Sequence, residues 1–146
     1  MKKYLTIAII GFSLMACQNK EQQNTEVNNS GNLQVQRFGS ITGLKADKLA
    51  YYEHLHANIW PGVLKKIKEC NIRNYSIYVQ KIDTSYYLFS YYEYVGKDYK
   101  KDMAKMAVDS TTQRWWKETD PCQIPLPEAA AKSATWANMK EVFHAD

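Results

Sequence analysis

The chain has 146 residues and a formal net charge of +4, and 45% of its residues are hydrophobic. This length suits one domain, and the hydrophobic fraction excludes a wholly disordered chain and a collagen-like repeat. Setting aside Lys2 and Lys3, two of the 19 basic residues, leaves 17 against 15 acidic residues. No stretch clusters Lys and Arg as nucleic-acid binding requires, so we expect no nucleic-acid partner.

The N-terminal segment predicts a lipoprotein signal peptide over residues 1–16. Lys2 and Lys3 precede a mostly apolar run of 12 residues, Tyr4–Met15. A membrane-spanning helix needs about 20 apolar residues, so this run is typical of a cleaved signal peptide instead. Leu14-Met15-Ala16-Cys17 resembles the lipobox of bacterial lipoproteins. The resemblance implies a lipid on Cys17 and a membrane-anchored protein on the periplasmic or cell-surface side; an ordinary secretory signal is the alternative.

Residues 17–34 are interpreted as the lipidated cysteine and a polar tether. The segment from Gln18 to Gln34 is rich in Gln and Asn and has almost no apolar side chain. Such a composition cannot bury enough surface to order itself. The folded domain is therefore expected at residues 35–146, a length sufficient for one hydrophobic core. Within it, Cys70 and Cys122 could pair outside the cytoplasm or remain free thiols.

The patterning of this domain predicts the element order β-α-β-β-α-β. The predicted elements, in chain order, are a strand at Val35–Thr42, helical segments at Leu44–Ala57 and Val63–Cys70, strands at Asn74–Lys81 and Tyr86–Val95, helical segments at Asp98–Val108 and Asp109–Lys117, a proline-containing loop, and a strand at Ala137–Phe143. The two central strands flank the turn Asp83-Thr84-Ser85 and form a hairpin. This order is typical of the ferredoxin-like α+β fold in a single domain.

Candidate catalytic chemistry centres on the first predicted helix. Tyr52 and His56 are four residues apart, so their side chains are neighbours on one helix face. An imidazole titrates near neutral pH and can give and take protons. His54 lies two residues from His56 and points elsewhere, so this pair predicts no metal site. Phosphate-binding and dinucleotide fingerprints are absent, and the six glycines do not cluster, so no nucleotide cofactor is expected.

Several segments resemble the L-rhamnose mutarotase family, in matching order and spacing from about Arg37 to Phe143. The segments that carry the resemblance are Tyr52-Glu53-His54-Leu55-His56-Ala57-Asn58-Ile59-Trp60-Pro61, Asn74-Tyr75-Ser76-Ile77-Tyr78-Val79, Gln113-Arg114-Trp115-Trp116-Lys117 and Met139-Lys140-Glu141-Val142-Phe143. The chain departs from the family at Asn58, where a proline is frequent, and in its signal and tether. The familiar members of the family are cytoplasmic.

The resemblance implies a homodimer of the dimeric α/β barrel type, formed through its sheets. It also implies a carbohydrate isomerase that interconverts the α and β anomers of L-rhamnose or a related deoxyhexose. His56 falls on the general acid that protonates the ring oxygen. Tyr52 and Tyr75 fall on sugar-binding tyrosines, and the family's paired sugar-contacting tryptophans fall on Trp115 and Trp116.

Anomer exchange consists of proton transfers without a redox step, so the predicted activity needs no cofactor. The general base is left open between a water molecule and His56 itself. The alternative function is a non-catalytic sugar-binding lipoprotein on the same dimeric ferredoxin-like fold, which would bind sugar without accelerating exchange.

Overall fold

The computed structural model describes residues 35–145, which comprise nearly all of the predicted domain. The predicted signal peptide, Cys17 and the polar tether lie outside the described residues. Within the described range, no helix is both long enough and apolar enough to cross a membrane.

A five-stranded antiparallel sheet forms the base of the fold. Its strands are β1 (Gln36–Leu44), β2 (Ile72–Ile82), β3 (Ser85–Tyr94), β4 (Gln123–Ile124) and β5 (Ala137–Met139). The strand order is β2-β3-β1-β4, and β5 also pairs with β1. This is the strand order of a ferredoxin-like α+β fold. The fold class predicted from the sequence is therefore confirmed.

A β-bulge interrupts the pairing of β2 with β3 between Arg73 and Ser76. Arg73 pairs with Glu93 and Ser76 with Tyr91, so two residues of β2, Asn74 and Tyr75, lie opposite one residue of β3. Asn74 adopts a left-handed backbone conformation, with φ of 48°. A bulge bends its strand and changes the direction of its side chains. The Tyr75 ring meets the Tyr92 ring edge-on, with centroids 5.6 Å apart.

Five helices connect and cover the strands. They are α1 (Leu49–Ala57), α2 (Pro61–Glu69), α3 (Tyr99–Ala107), α4 (Ser110–Thr119) and α5 (Pro127–Ala130), with single 3₁₀ turns at Ala46–Lys48 and Asp120–Cys122. Pro61 begins α2, where its missing N–H costs no helical hydrogen bond. Asp98 and Asp109 cap α3 and α4 by accepting hydrogen bonds from backbone N–H groups. Asp109 also explains why α3 and α4 are separate helices.

The core consists of two apolar clusters between the sheet and the helices. One joins Leu44, Tyr52, Leu88 and Cys122, and so fixes α1 against β1 and β3. The other joins Leu55, Val63 and Trp115, and so fixes α1, α2 and α4 to one another. Cys70 and Cys122 are both buried free thiols, which decides between the two alternatives that the sequence left open.

The observed elements differ from the sequence-based expectations where pairing with distant strands sets the ends of an element. The helix expected from Leu44 begins at Leu49, because Gly43 and Leu44 still pair with β4 as part of β1. The final strand, expected over Ala137–Phe143, is limited to Ala137–Met139, which pairs with β1. Strand β4 and helix α5 were not expected, because both fall in the proline-containing loop and are only two and four residues long.

A buried carboxylate holds α3 against the end of β3. Asp102 is 5% exposed and accepts hydrogen bonds from Asn71 Nδ2 at 2.7 Å and from the Tyr94 hydroxyl at 2.8 Å. Lys105 Nζ lies 2.7 Å from the other carboxylate oxygen. These three donors, of which Lys105 contributes most, lower the pKa of Asp102 from 3.8 to about 2. The interactions therefore favour the charged carboxylate.

We predict that Asp102→Asn lowers the melting temperature at pH 7. The neutral amide replaces a charged carboxylate that accepts hydrogen bonds from three donors. The stabilisation from Asp102 is complete above its unfolded pKa near 3.8 and is lost as the pH falls through about 2. The difference between wild type and variant should therefore shrink over this acid range in thermal unfolding followed by circular dichroism. Asp83→Asn, in the exposed turn between β2 and β3, is the matched control. Equal melting temperatures at pH 7 would contradict the prediction.

Candidate active site

Two cavities that share walls lie between the helices and the sheet. Their volumes are about 790 and 460 Å³. The smaller cavity is lined by all five residues that the sequence predicted for the site, which are Tyr52, His56, Tyr75, Trp115 and Trp116. The larger cavity is lined by four of them and lacks Trp116. The structure thus brings together side chains from α1, α4 and β2, and we take the smaller cavity as the candidate active site.

His56 is held in one orientation by the helix on which it lies. Its ring stacks on the Tyr52 ring at a centroid distance of 4.2 Å and meets the edge of Trp115 at 5.2 Å. His56 Nδ1 lies 2.9 Å from the backbone oxygen of Tyr52. A backbone carbonyl can only accept, so Nδ1 carries the proton and donates it in this bond. In the neutral ring, the lone pair is therefore on Nε2.

The surroundings of His56 also favour its neutral form. Burial lowers the pKa of the imidazole below 6.5, and the hydrogen bond to the Tyr52 oxygen only partly opposes this effect. Desolvation penalises the charged form because apolar neighbours replace water around the imidazolium. The resting state at neutral pH is therefore an Nδ1–H imidazole with an Nε2 atom that is free to accept a proton.

The two tyrosines present hydroxyl groups to the same cavity. Tyr52 is 5% exposed, and burial is the main cause of the raised pKa of its hydroxyl. Tyr75 is 44% exposed as a residue, yet burial raises the pKa of its hydroxyl, so the hydroxyl end is the enclosed one. Neither hydroxyl has a hydrogen-bond partner among the described residues. Both are available to a polar ligand.

The two tryptophans of α4 have different surroundings. Trp115 is 6% exposed and packs in the core cluster with Leu55 and Val63, with its ring edge near Trp60 at 5.4 Å. Trp116 is 37% exposed and lines only the smaller cavity. Trp115 therefore supports the position of His56 from the core, whereas Trp116 offers an accessible apolar surface to a ligand.

His54 lies away from the site, as the helix geometry predicts. It is exposed, and its nearest polar neighbour is Asn58, whose Nδ2 bonds the His54 backbone oxygen at 2.9 Å. That bond lies at the C-terminal end of α1, where Asn58 is the C-cap residue. Within residues 35–145, no group of three or more histidine, cysteine or acidic side chains could hold a metal ion.

The sequence-based reasoning missed several residues that line the candidate site. The additional lining residues with polar or large side chains are Tyr92, Met103, Met106, Thr112, Thr119, Asp120, Gln123, Thr135 and Trp136. Most of them come from α3 and from the segment after α4, and neither region contains a recognisable motif. The one available signal was the position of Asp120 and Gln123, four and seven residues after Trp116 in the chain.

Comparisons with known proteins agree on one family. A model of the L-rhamnose mutarotase family matches residues 37–145. An L-rhamnose mutarotase of Oceanobacillus iheyensis is 34% identical over 112 residues, which cover 77% of this chain and 100% of that protein. An L-rhamnose mutarotase of Bacillus subtilis is 31% identical with the same coverage. The crystal structure of an L-rhamnose mutarotase from Formosa agariphila has a TM-score of 0.56, 21% identity and coverage of 76% of this chain and 99% of that chain.

We predict that His56 titrates below 6.5 and that its neutral form carries the proton on Nδ1, because burial opposes the charge and the Tyr52 oxygen holds that proton. Nitrogen-15 NMR of the folded domain measures both properties, and the spectrum of His56→Asn assigns the signal. A neutral ring protonated on Nε2, or a pKa above 6.5, would show that the Tyr52 carbonyl does not set the tautomer.

Proposed function

The chain belongs to the L-rhamnose mutarotase family, and we propose that it interconverts the α and β anomers of L-rhamnose or a related deoxyhexose. The protein is accordingly a carbohydrate isomerase. The observation that carries the proposal is the convergence of His56, two unpartnered tyrosine hydroxyls and Trp116 on one cavity. Proton transfer, hydroxyl binding and an apolar wall are the three properties that this reaction requires of its site.

Ring opening needs one proton to leave the anomeric hydroxyl and one to reach the ring oxygen. As the proton leaves O1, the electron pair of the O1–H bond forms the second bond between C1 and O1. The electrons of the C1–O5 bond move to O5. Rotation about the C1–C2 bond then presents the other face of the aldehyde. Closure reverses each transfer, so the protein is unchanged at the end and no electron acceptor takes part.

We assign both transfers to His56. In its neutral resting state, Nε2 accepts the proton of the anomeric hydroxyl, and the resulting imidazolium donates a proton to the ring oxygen. His56 is thus the acid that protonates O5 after first acting as the base. Tyr52 and Tyr75 hydrogen-bond sugar hydroxyls, and Trp116 covers the apolar side of the deoxyhexose. Trp115 keeps the imidazole in place at a centroid distance of 5.2 Å.

We predict that His56→Asn lowers the rate of anomer exchange by about 10²-fold or more, because it removes the titratable proton but retains a polar side chain. Sugar binding should change much less, since the tyrosine hydroxyls and Trp116 remain. Exchange is measured by NMR on L-rhamnose with a substoichiometric amount of protein, and binding by ligand-observed NMR.

His54→Asn is the matched control, because this exposed histidine of the same helix lies outside both cavities. Its exchange rate should remain near that of the wild type. In the wild type, the rate should fall as the pH decreases through the folded pKa of His56, because an imidazolium cannot accept the O1 proton. Full activity of folded His56→Asn would show that another group transfers the proton. Binding of a deoxyhexose without any acceleration by the wild type would favour the non-catalytic sugar-binding function.

We further propose that the protein forms a homodimer through the sheet face opposite the helices. Across three adjacent strands, Ile41 pairs with Phe89 and Phe89 pairs with Tyr78, which gives an apolar row on one face. Tyr78 is 63% exposed, which is unusual for an aromatic side chain in the middle of a strand. A second copy of the same face would cover this row.

Phe89→Lys is predicted to convert the dimer into a monomer, because it places a charge in the middle of the apolar row. Size-exclusion chromatography with light scattering measures the molar mass, and Lys97→Glu, in the loop after β3, is the control. A wild type that is monomeric at high concentration would contradict the dimer.

We also propose that Cys17 is lipidated and anchors the folded domain to a bacterial membrane. The support is the Leu14-Met15-Ala16-Cys17 sequence and the polar segment after it. Cys17→Ser should yield a protein without lipid mass that leaves the membrane fraction, as measured by mass spectrometry and fractionation. A wild-type protein that is itself soluble and carries no lipid would refute the anchor, whereas the activity of the domain would be unaffected.

A further inference from the structure

The smaller cavity contains a buried acceptor for which residues 35–145 supply no donor. Gln123 is 6% exposed, and its Oε1 atom is buried without a hydrogen-bond partner among the described residues. Buried polar atoms almost always have partners, because losing water without gaining a new bond costs free energy. An exception in the wall of a candidate active site suggests that the missing donor belongs to the ligand.

Asp120, three residues earlier, is a second acceptor in the wall of the same cavity. It begins the 3₁₀ turn after α4, and no described residue donates a hydrogen bond to its carboxylate. Tyr52 lines the same cavity, and the charge of Asp120 adds to burial, the main cause, in raising the pKa of the Tyr52 hydroxyl. Burial raises the pKa of Asp120 itself, although the residue as a whole is exposed.

We propose that Asp120 and Gln123 bind hydroxyl groups of the sugar as hydrogen-bond acceptors, and so select a polyol ligand in the cavity that contains His56. This inference rests on the proposed function and adds two residues to its substrate-binding set. Each sugar hydroxyl carries one proton to donate, and a carboxylate can accept from two neighbouring hydroxyls. The bonds to Asp120 are the stronger ones, because its acceptor is charged.

The remaining wall of the cavity complements these two acceptors. The Tyr52 and Tyr75 hydroxyls can donate to sugar oxygens, whereas Met103, Met106 and Trp116 present apolar surface. A deoxyhexose likewise has a polar part, with several hydroxyls, and an apolar part, its methyl group. The side chains thus fit a neutral sugar that donates to Asp120 and Gln123.

Removing an acceptor that is unpartnered without ligand affects the stability of the fold differently from removing a residue that stabilises the fold. Replacing Gln123 with methionine removes the unpartnered oxygen at nearly constant shape. The unliganded variant should therefore unfold at the same or a higher temperature than the wild type, while its affinity for sugar decreases. A glutamine that stabilised the fold would give a lower melting temperature instead.

The test compares Asp120→Asn and Gln123→Met with the wild type in an NMR titration with L-rhamnose. We expect the dissociation constant to increase about 10-fold for Asp120→Asn, because a neutral acceptor replaces a charged one, and about 2- to 10-fold for Gln123→Met. Thermal unfolding without sugar should show no loss of stability in either variant. Gln36→Met and Asp83→Asn, both exposed and outside the smaller cavity, are the matched controls.

The outcomes separate this inference from the proposed function. If the wild type binds L-rhamnose and accelerates its exchange, and both variants bind the sugar with unchanged affinity, the inference alone is overturned. A lower melting temperature of Gln123→Met would likewise assign Gln123 a structural role and overturn the part of the inference that concerns Gln123. A wild type that neither binds nor exchanges any deoxyhexose would overturn the proposed function first.

Discussion

The hydrogen bond from His56 Nδ1 to the backbone oxygen of Tyr52 is the constraint around which the site is organised. It joins two residues one helical turn apart, so α1 places the imidazole next to its acceptor. It leaves Nε2 of the neutral imidazole with the lone pair. Because Tyr52 is itself 5% exposed in the core, the same bond connects the orientation of the imidazole to the packing of the helix on the sheet.

The position of α1 depends on contacts that serve stability and chemistry together. Tyr52 packs with Leu44 and Leu88, which belong to the two central strands. On its other side, Trp115 packs with Leu55 and also contacts the edge of the imidazole. A change in either cluster would therefore affect the fold and the candidate site at once.

The opposite wall of the site depends on irregular backbone. Asn74 and Tyr75 form a bulge in β2, and Tyr75 lines the smaller cavity, while the 3₁₀ turn after α4 brings Asp120 and Gln123 into the same cavity. A regular helix thus holds the His56 imidazole, whereas a bulge and a turn carry polar side chains of the cavity wall.

The sequence by itself determined the fold class, the pairing of Tyr52 with His56 and the separation of His54. These depend on spacing within one element, where the helical repeat or the strand alternation fixes which side chains are neighbours. Only the tertiary structure decided that β1 extends to Leu44, because its last residues pair with a two-residue strand about 80 positions away, too short to show alternation. Likewise, the different roles of Trp115 and Trp116 and the unpartnered acceptors of Asp120 and Gln123 depend on which elements meet across the cavity. Contacts of this kind leave no periodic trace in the chain, because the partners are chosen by packing rather than by neighbouring residues.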